Sequence, residues 1–208
     1  MARKTHKSPE QARTAILDAA EKVITEVGPA GLRISNVAKE AGMAHPNVIH
    51  HFGSREGLIT ALSTRCGERA TQRITAAIQQ AAEASDEQKR DALTEVLDKV
   101  FPGEEGRLIA WLHMSGVESS MDENMAQILA VAQNLRQTVA ENSDAANTNR
   151  LVGLITLALL GEVVYGPGLT EMLGFEDNHD GGHSDFRKWL ASLVLGLDDK
   201  ILDKLTAE

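Results

Sequence analysis

The stretch from Gly31 to Phe52, GLRISNVAKEAGMAHPNVIHHF, decides the fold. It reads as two short helices on either side of Gly42. The first runs from near Ile34 to Ala41, with Val37, Ala38 and Ala41 on its apolar face. Gly42 fits the left-handed position that ends a helix and begins a tight turn, because it has no Cβ to clash there. The second helix begins near His45, tolerates Pro46 in its first turn, and turns Val48 and Phe52 inward, four residues apart. Two short helices about a glycine turn form a helix-turn-helix. The second helix leaves His45, Asn47, His50 and His51 facing outward. An ordinary core hairpin has no use for these groups, whereas phosphates or base edges do.

Working outward, Ser8-Pro9-Glu10-Gln11 is a capping box with proline at the first helical position. Ala12, Ile16, Ala19, Ala20, Val23 and Val27 follow at helical spacing, and Gly28-Pro29 ends that helix. On the other side, Gly53-Ser54 breaks the chain and caps a long helix from Arg55 to about Ala84. Ser85-Asp-Glu-Gln88 is a second box, opening a helix to Phe101 that stops at Pro102-Gly103. Further helices are expected over about 105–118 and, from the box Ser120-Met-Asp-Glu123, to about Glu141. Residues 142–149 are polar and read as a loop. Leu151 to Tyr165 is a helix apolar nearly all round, broken by Gly166-Pro167-Gly168. A last helix is expected from Asp185 to about Leu205, after a loop rich in Gly, Asp and His. No strand-type alternation interrupts this pattern. The reading is an all-α protein: a three-helix helix-turn-helix domain over 1–55 and a larger helical domain over 56–208.

The composition of the 208 residues excludes several classes of function. One cysteine, Cys66, rules out an internal disulfide framework and any multi-cysteine metal site. Leu151–Tyr165 is interrupted by Gly153, Thr156, Gly161 and Glu162, short of the ~20 apolar residues a membrane span requires. Met1 is followed by polar and basic residues rather than a leader's apolar core, so a soluble cytoplasmic protein is expected. The net charge of −9 hides an asymmetry. Residues 1–60 carry eight Lys/Arg against six Asp/Glu, a net +2, with four of the seven histidines. Residues 61–208 carry thirteen against twenty-four, a net −11. A basic head on an acidic body directs the head alone toward a polyanion.

The segment from Glu26 to Leu62, EVGPAGLRISNVAKEAGMAHPNVIHHFGSREGLITAL, resembles the DNA-binding domain of the TetR family of transcriptional regulators. The glycine-bearing turn, the helix ending in Ala-Gly, the short helix ending in an aromatic, and the Gly/Ser break before a basic residue and Glu occur in that order and spacing. The likeness reaches back over the first helix, to roughly residues 9–62. It implies a homodimer that places two recognition helices in a palindromic double-stranded operator. Carried over residue by residue, it implies that Ala44, His45, Pro46, Asn47, Ile49, His50 and His51 face DNA, with Ser35 at the start of the preceding helix. Arg55 stands where the family usually has a phosphate-binding lysine. Arg3, Lys4 and Arg33 are further head cations suited to phosphate. Ile49 replaces a common tyrosine and Ile34 a frequent threonine, which removes two hydroxyls; Ile49 fits a thymine methyl instead.

In the body, Phe101, Trp111, Met114, Met121, Met125 and Tyr165 gather aromatic and thioether groups suited to an adaptable apolar pocket. His113 lies beside Trp111, and Leu62 and Cys66 lie on the long helix that leaves the head. These nine are the candidate ligand-binding residues, although core packing accounts for such side chains nearly as well. His179 and His183 lack a third ligand nearby, so no metal is assigned and no cofactor is implied. There is no phosphate loop, no nucleophile elbow and no H-E-x-x-H, and no catalytic residue is nominated. The expectation is a repressor, not an enzyme, that is released from its operator by a small hydrophobic molecule. The alternative is an all-helical ligand-binding protein or enzyme whose helix-turn-helix is only structural.

Overall fold

The computed structural model describes residues 8–28, 31–85, 87–114, 121–139, 144–175, 184–197 and 199–206. Arg3, Lys4, His179 and His183 lie outside them, as do the side chains of His113, Met114 and Met121. The described residues form helices and turns, with no strand among them. They fall into two compact units, Met1–Cys66 with Trp111–Ser120, and Gly67–Ala110 with Met121–Glu208.

The first unit begins with α1 (Pro9–Val27), where both halves of the expected capping box form: the Gln11 amide donates to Ser8 Oγ and the Ser8 amide to Gln11 Oε1. Then come α2 (Ile34–Glu40) and α3 (His45–Phe52). The turn between them satisfies the loose carbonyls of α2. Gly42 takes φ 64°, the Met43 amide donates to Ala38 O at 2.9 Å, and the Gly42 amide to Lys39 O at 3.2 Å. This double bond pattern fixes the exit angle of a seven-residue helix too short to hold itself. Ile16, Ala20, Leu32, Val37, Val48, Leu58 and Leu62 are buried at the centre of this unit. Helix α4 (Arg55–Ala81) contributes residues 55–66 to it and the remainder to the second unit.

The second unit contains α5 (Lys89–Val100), α7 (Met121–Val139), α8 (Ala145–Tyr165), α9 (Pro167–Met172), α10 (Asp185–Gly196), α11 (Asp199–Thr206) and most of α6 (Gly103–Met114). Ile74, Ile78 and Val96 form a core with Leu93, Ile128 and Leu135 packed against it. Four boundaries differ from the sequence reading. Gln88 reaches back to the Ser85 amide, but the helix starts only at Lys89. Asp144 caps α8 through the Ala146 amide, so the helix begins inside the segment read as a loop, and Asn147 and Thr148 are buried in it. Pro167 restarts the chain as the short α9. The last helix is two, because Leu197, at ψ 87°, leaves the helical region.

By length and composition alone α8 would now cross a membrane. Its polar side chains have partners within the unit instead. Asn147 donates to Asp203 and accepts from Arg150, and Glu162 pairs with Arg187. Arg187 is the most committed cation there. Its Nε and Nη2 hold Glu162, Nη1 meets Leu97 O and Asp98, and Nη2 meets Phe101 O. The last carbonyls of α5, which lack intrahelical partners, are thus answered by a guanidinium from α10.

Candidate nucleic-acid interface

Helix α3 buries Val48 and Phe52 and turns its other side outward. Ala44, His45, Pro46, Asn47, Ile49 and His50 are exposed, and His51 is half-buried. The eight residues of α3 include neither Lys nor Arg. The outward face offers imidazoles, one amide and the Ile49 side chain.

Three neighbours set the pose of α3. From α1, the Arg13 Nη1 donates to the His51 carbonyl at 3.0 Å while the guanidinium sits 4.4 Å above the Phe52 ring. A cation at the last carbonyls of a helix and over an aromatic face is favourable on both counts. The Gly53 amide, at φ 76°, closes α3 on Ile49 O. Gly57, in the first turn of α4, lies so close to Phe52 that a Cβ there would land on the Phe52 carbonyl oxygen. Neither Arg13 nor Gly57 emerges from the sequence reading. A one-dimensional pattern shows Arg13 only as an exposed helical residue.

Arg55 has a dual position. Its Nε donates to Leu32 O at 2.9 Å, which ties the start of α4 to the residue before Arg33. Arg33 and Ser35 are exposed at the start of α2, so the structure brings Arg33, Ser35 and Arg55 into one neighbourhood. Ser54 caps α4 by accepting from the Gly57 amide. The Glu56 carboxyl is held below its ordinary value of 4.5, first by its own backbone N–H, then by the Ser54 hydroxyl and Arg55. The helix start therefore favours negative charge. Elsewhere in the head, Lys22 bonds Glu40 of α2, and Glu40 pushes its ammonium above the ordinary value. Arg65 bridges Asp18 and Glu21 of α1.

Among the nominated ligand residues, Leu62 and Cys66 are buried one turn apart on α4, and the Cys66 thiol lies 3.8 Å from Glu21 Oε1. Phe101 is buried, and its carbonyl accepts from Arg187. Trp111 and Met125 are half-buried. Tyr165 stands apart, 72% exposed at the end of α8. Leu157 on α8, Met172 on α9 and Trp189 on α10 are exposed apolar side chains as well. Trp189 also packs against Phe175 and Phe186, with ring centroids 5.8 and 6.0 Å away. No group of three metal-ligating side chains occurs among the described residues.

Residues 16–62 match the family model of bacterial regulatory proteins, tetR family. No curated protein sequence matches the chain. Solved structures resemble it over nearly its whole length. A transcriptional regulator assigned to the TetR family from Mesorhizobium loti MAFF303099 superposes with a TM-score of 0.66 at 14% identity, covering 92% of this chain and 98% of that one. The multidrug binding protein EbrR complexed with ethidium gives 0.61 at 19% identity, covering 90% and 98%. The fatty acid degradation regulator FadR from Bacillus halodurans gives 0.59 at 18%, covering 88% and 97%.

Proposed function

We propose that this TetR-family transcriptional regulator is a ligand-responsive repressor. It binds a palindromic DNA operator as a homodimer in the cytoplasm, and a small hydrophobic molecule releases it. The observation that carries the reading is the outward face of α3. Packing has buried the apolar side of this helix and left His45, Pro46, Asn47, Ile49 and His50 unspent. With Ala44 and His51 they form the base-reading set. Arg33, Ser35 and Arg55 supply the phosphate contacts around it, together with Arg3 and Lys4 of the N-terminal segment.

The dimer reading is supported by exposed Leu157, Val164, Trp189, Leu193 and Leu195 on α8 and α10. Exposed apolar side chains on two helices are what a partner subunit would cover, and two helices from each subunit suit a four-helix bundle. Tyr165 is as available to the second subunit as to a ligand. Of the candidate effector residues, Leu62, Cys66, Trp111, His113 and Met114 belong to the first unit and Phe101, Met121 and Met125 to the second. EbrR is a multidrug binding protein solved with ethidium. By analogy, and given the acidic body, lipophilic cations are the first compounds to screen. The ligand must prefer the state that does not bind DNA; a near-complete switch needs ~5.5 kcal/mol of differential affinity.

The test is a mobility shift on a duplex selected from a random-sequence pool, with ethidium and lipophilic acids as candidate releasing compounds. A protein that selects no duplex, or a duplex without two half-sites, defeats the operator reading. Compounds that raise the melting temperature yet leave DNA affinity unchanged defeat the release mechanism.

A further inference from the structure

Helix α3 is eight residues long, and its far end depends on what meets its last carbonyls. Two of them are answered by the chain that follows: the Gly53 amide donates to Ile49 O at 2.7 Å and the Ser54 amide to Phe52 O at 2.8 Å. The His51 carbonyl is answered from another helix. Arg13, on α1, donates Nη1 to it at 3.0 Å and lays its guanidinium 4.4 Å from the centre of the Phe52 ring. No carboxylate among the described residues pairs with Arg13, so both of its commitments are to α3. The platform it reaches from is itself fixed. Ile16, Ala20 and Val23 bury one side of α1, Lys22 ties it to Glu40 of α2, and Arg65 of α4 holds Asp18 and Glu21.

From this arrangement we infer that Arg13 is a positioning residue for DNA recognition: it fixes the angle at which α3 presents its outward face, and sequence discrimination depends on it although it touches neither base nor phosphate. The inference rests on the reading of α3 as the recognition helix. The two contacts of Arg13 constrain different motions. The hydrogen bond holds the last turn of α3 against α1, and the cation over the ring holds Phe52, the buried anchor of that turn. A planar guanidinium can do both at once, whereas an ammonium is a single point charge. Contacts to base edges are short and directional, and they fail when a helix shifts by about an ångström. Attraction to phosphates is long-ranged and survives such a shift. Loss of Arg13 therefore costs discrimination between sequences rather than general affinity for DNA.

The experiment uses the full chain, a fluorescein-labelled duplex selected by it from a random-sequence pool, and a scrambled duplex of the same length. Arg13→Met keeps an apolar stem and removes both contacts. It should bind the selected duplex roughly ten- to a hundredfold more weakly, the worth of a well-aligned base contact. It should bind the scrambled duplex as the parent does and keep the parent's salt slope on both. Amide hydrogen exchange should quicken at Gly53, whose amide closes α3 on Ile49 O, and keep the parent's rate at Gly28, whose amide closes α1 on Ile24 O. Arg13→Lys, which keeps the charge without the fork, should fall between the methionine variant and the parent. Arg13 is exposed, so both variants keep the fold, which circular dichroism verifies. An equal loss on both duplexes, with the salt slope smaller by ~0.9, would make Arg13 a phosphate ligand. Exchange quickened alike at Gly53 and Gly28 would make it a general stabiliser of the head. Either result overturns the inference, as does undiminished discrimination in the methionine variant, and all three leave the DNA reading standing. A parent that selects no duplex overturns the DNA reading and the inference with it.

Discussion

The outward face of α3 and the outward faces of α8 and α10 are both surfaces that packing has left unspent, and they differ in kind. On α3 the exposed groups are His45, Asn47 and His50, with Pro46 and Ile49 between them. On α8 and α10 they are Leu157, Val164, Trp189, Leu193 and Leu195. Polar groups that hydrogen-bond in fixed directions suit a groove lined with phosphates and base edges. Apolar groups gain only by leaving water, and a second copy of the same surface offers that. The support beneath the two faces differs as well. Under α3 it is backbone geometry, with Gly42 in a left-handed turn and Gly57 against the Phe52 carbonyl. Under α8 and α10 it is a buried ion pair, Glu162 with Arg187.

The sharpest break of this comparison is Arg187→Ala. It leaves Glu162 unpaired at a site where the two side chains are 15% and 11% exposed. Removing one partner of a buried pair costs ~3–5 kcal/mol. Urea denaturation should show a loss of that size, and the proposed dimer should be weakened in sedimentation, because α8 and α10 lose the ion pair that joins them. An unchanged midpoint would mean that the pair is dispensable and the face self-supporting.

Next in size, Leu157→Glu with Trp189→Glu should leave the head folded and shift the protein to monomer at micromolar concentration. Affinity for a two-half-site duplex should fall about a hundredfold, ~2.7 kcal/mol, because the half-sites are no longer engaged together. A variant that sediments as the parent does would make the α8–α10 face something other than the dimer surface.

Gly57→Ala probes the other support. The added methyl meets a backbone carbonyl that cannot rotate aside. A cost of ~1–3 kcal/mol in stability is expected from such overpacking. DNA affinity should fall with an unchanged salt slope, since no phosphate contact is lost. A steeper or flatter salt slope would show that the turn itself touches DNA.

The smallest effect belongs to Glu56. Its folded pKa lies below the ordinary value of 4.5, so its contribution is present above that value and is lost as pH falls through the lowered one. Glu56→Gln should flatten the acid limb of the stability profile slightly and leave the neutral region unchanged. A change at neutral pH would mean that Glu56 has a partner other than the helix start.

The sequence by itself determined the head almost residue by residue. Ser8 and Gln11 close their box, Gly42 takes the turn, and Val48 and Phe52 point inward, because caps, turns and helical faces depend on residues one to four apart. The same locality explains the misreadings in the body. Asp144 captures the Ala146 amide in a run that looked like loop, and the stripe after Trp189 is continuous in sequence while the backbone leaves the helix at Leu197. Only the tertiary structure decided the roles of Arg13, Gly57 and Arg187. Arg13 reaches a carbonyl 38 residues on, and Arg187 reaches Leu97 from 90 residues away. Neither partner can be inferred from neighbours in the chain. A buried charge is tolerable only where the whole fold delivers its counter-charge and acceptors, and a glycine is indispensable only where the fold brings another backbone against it.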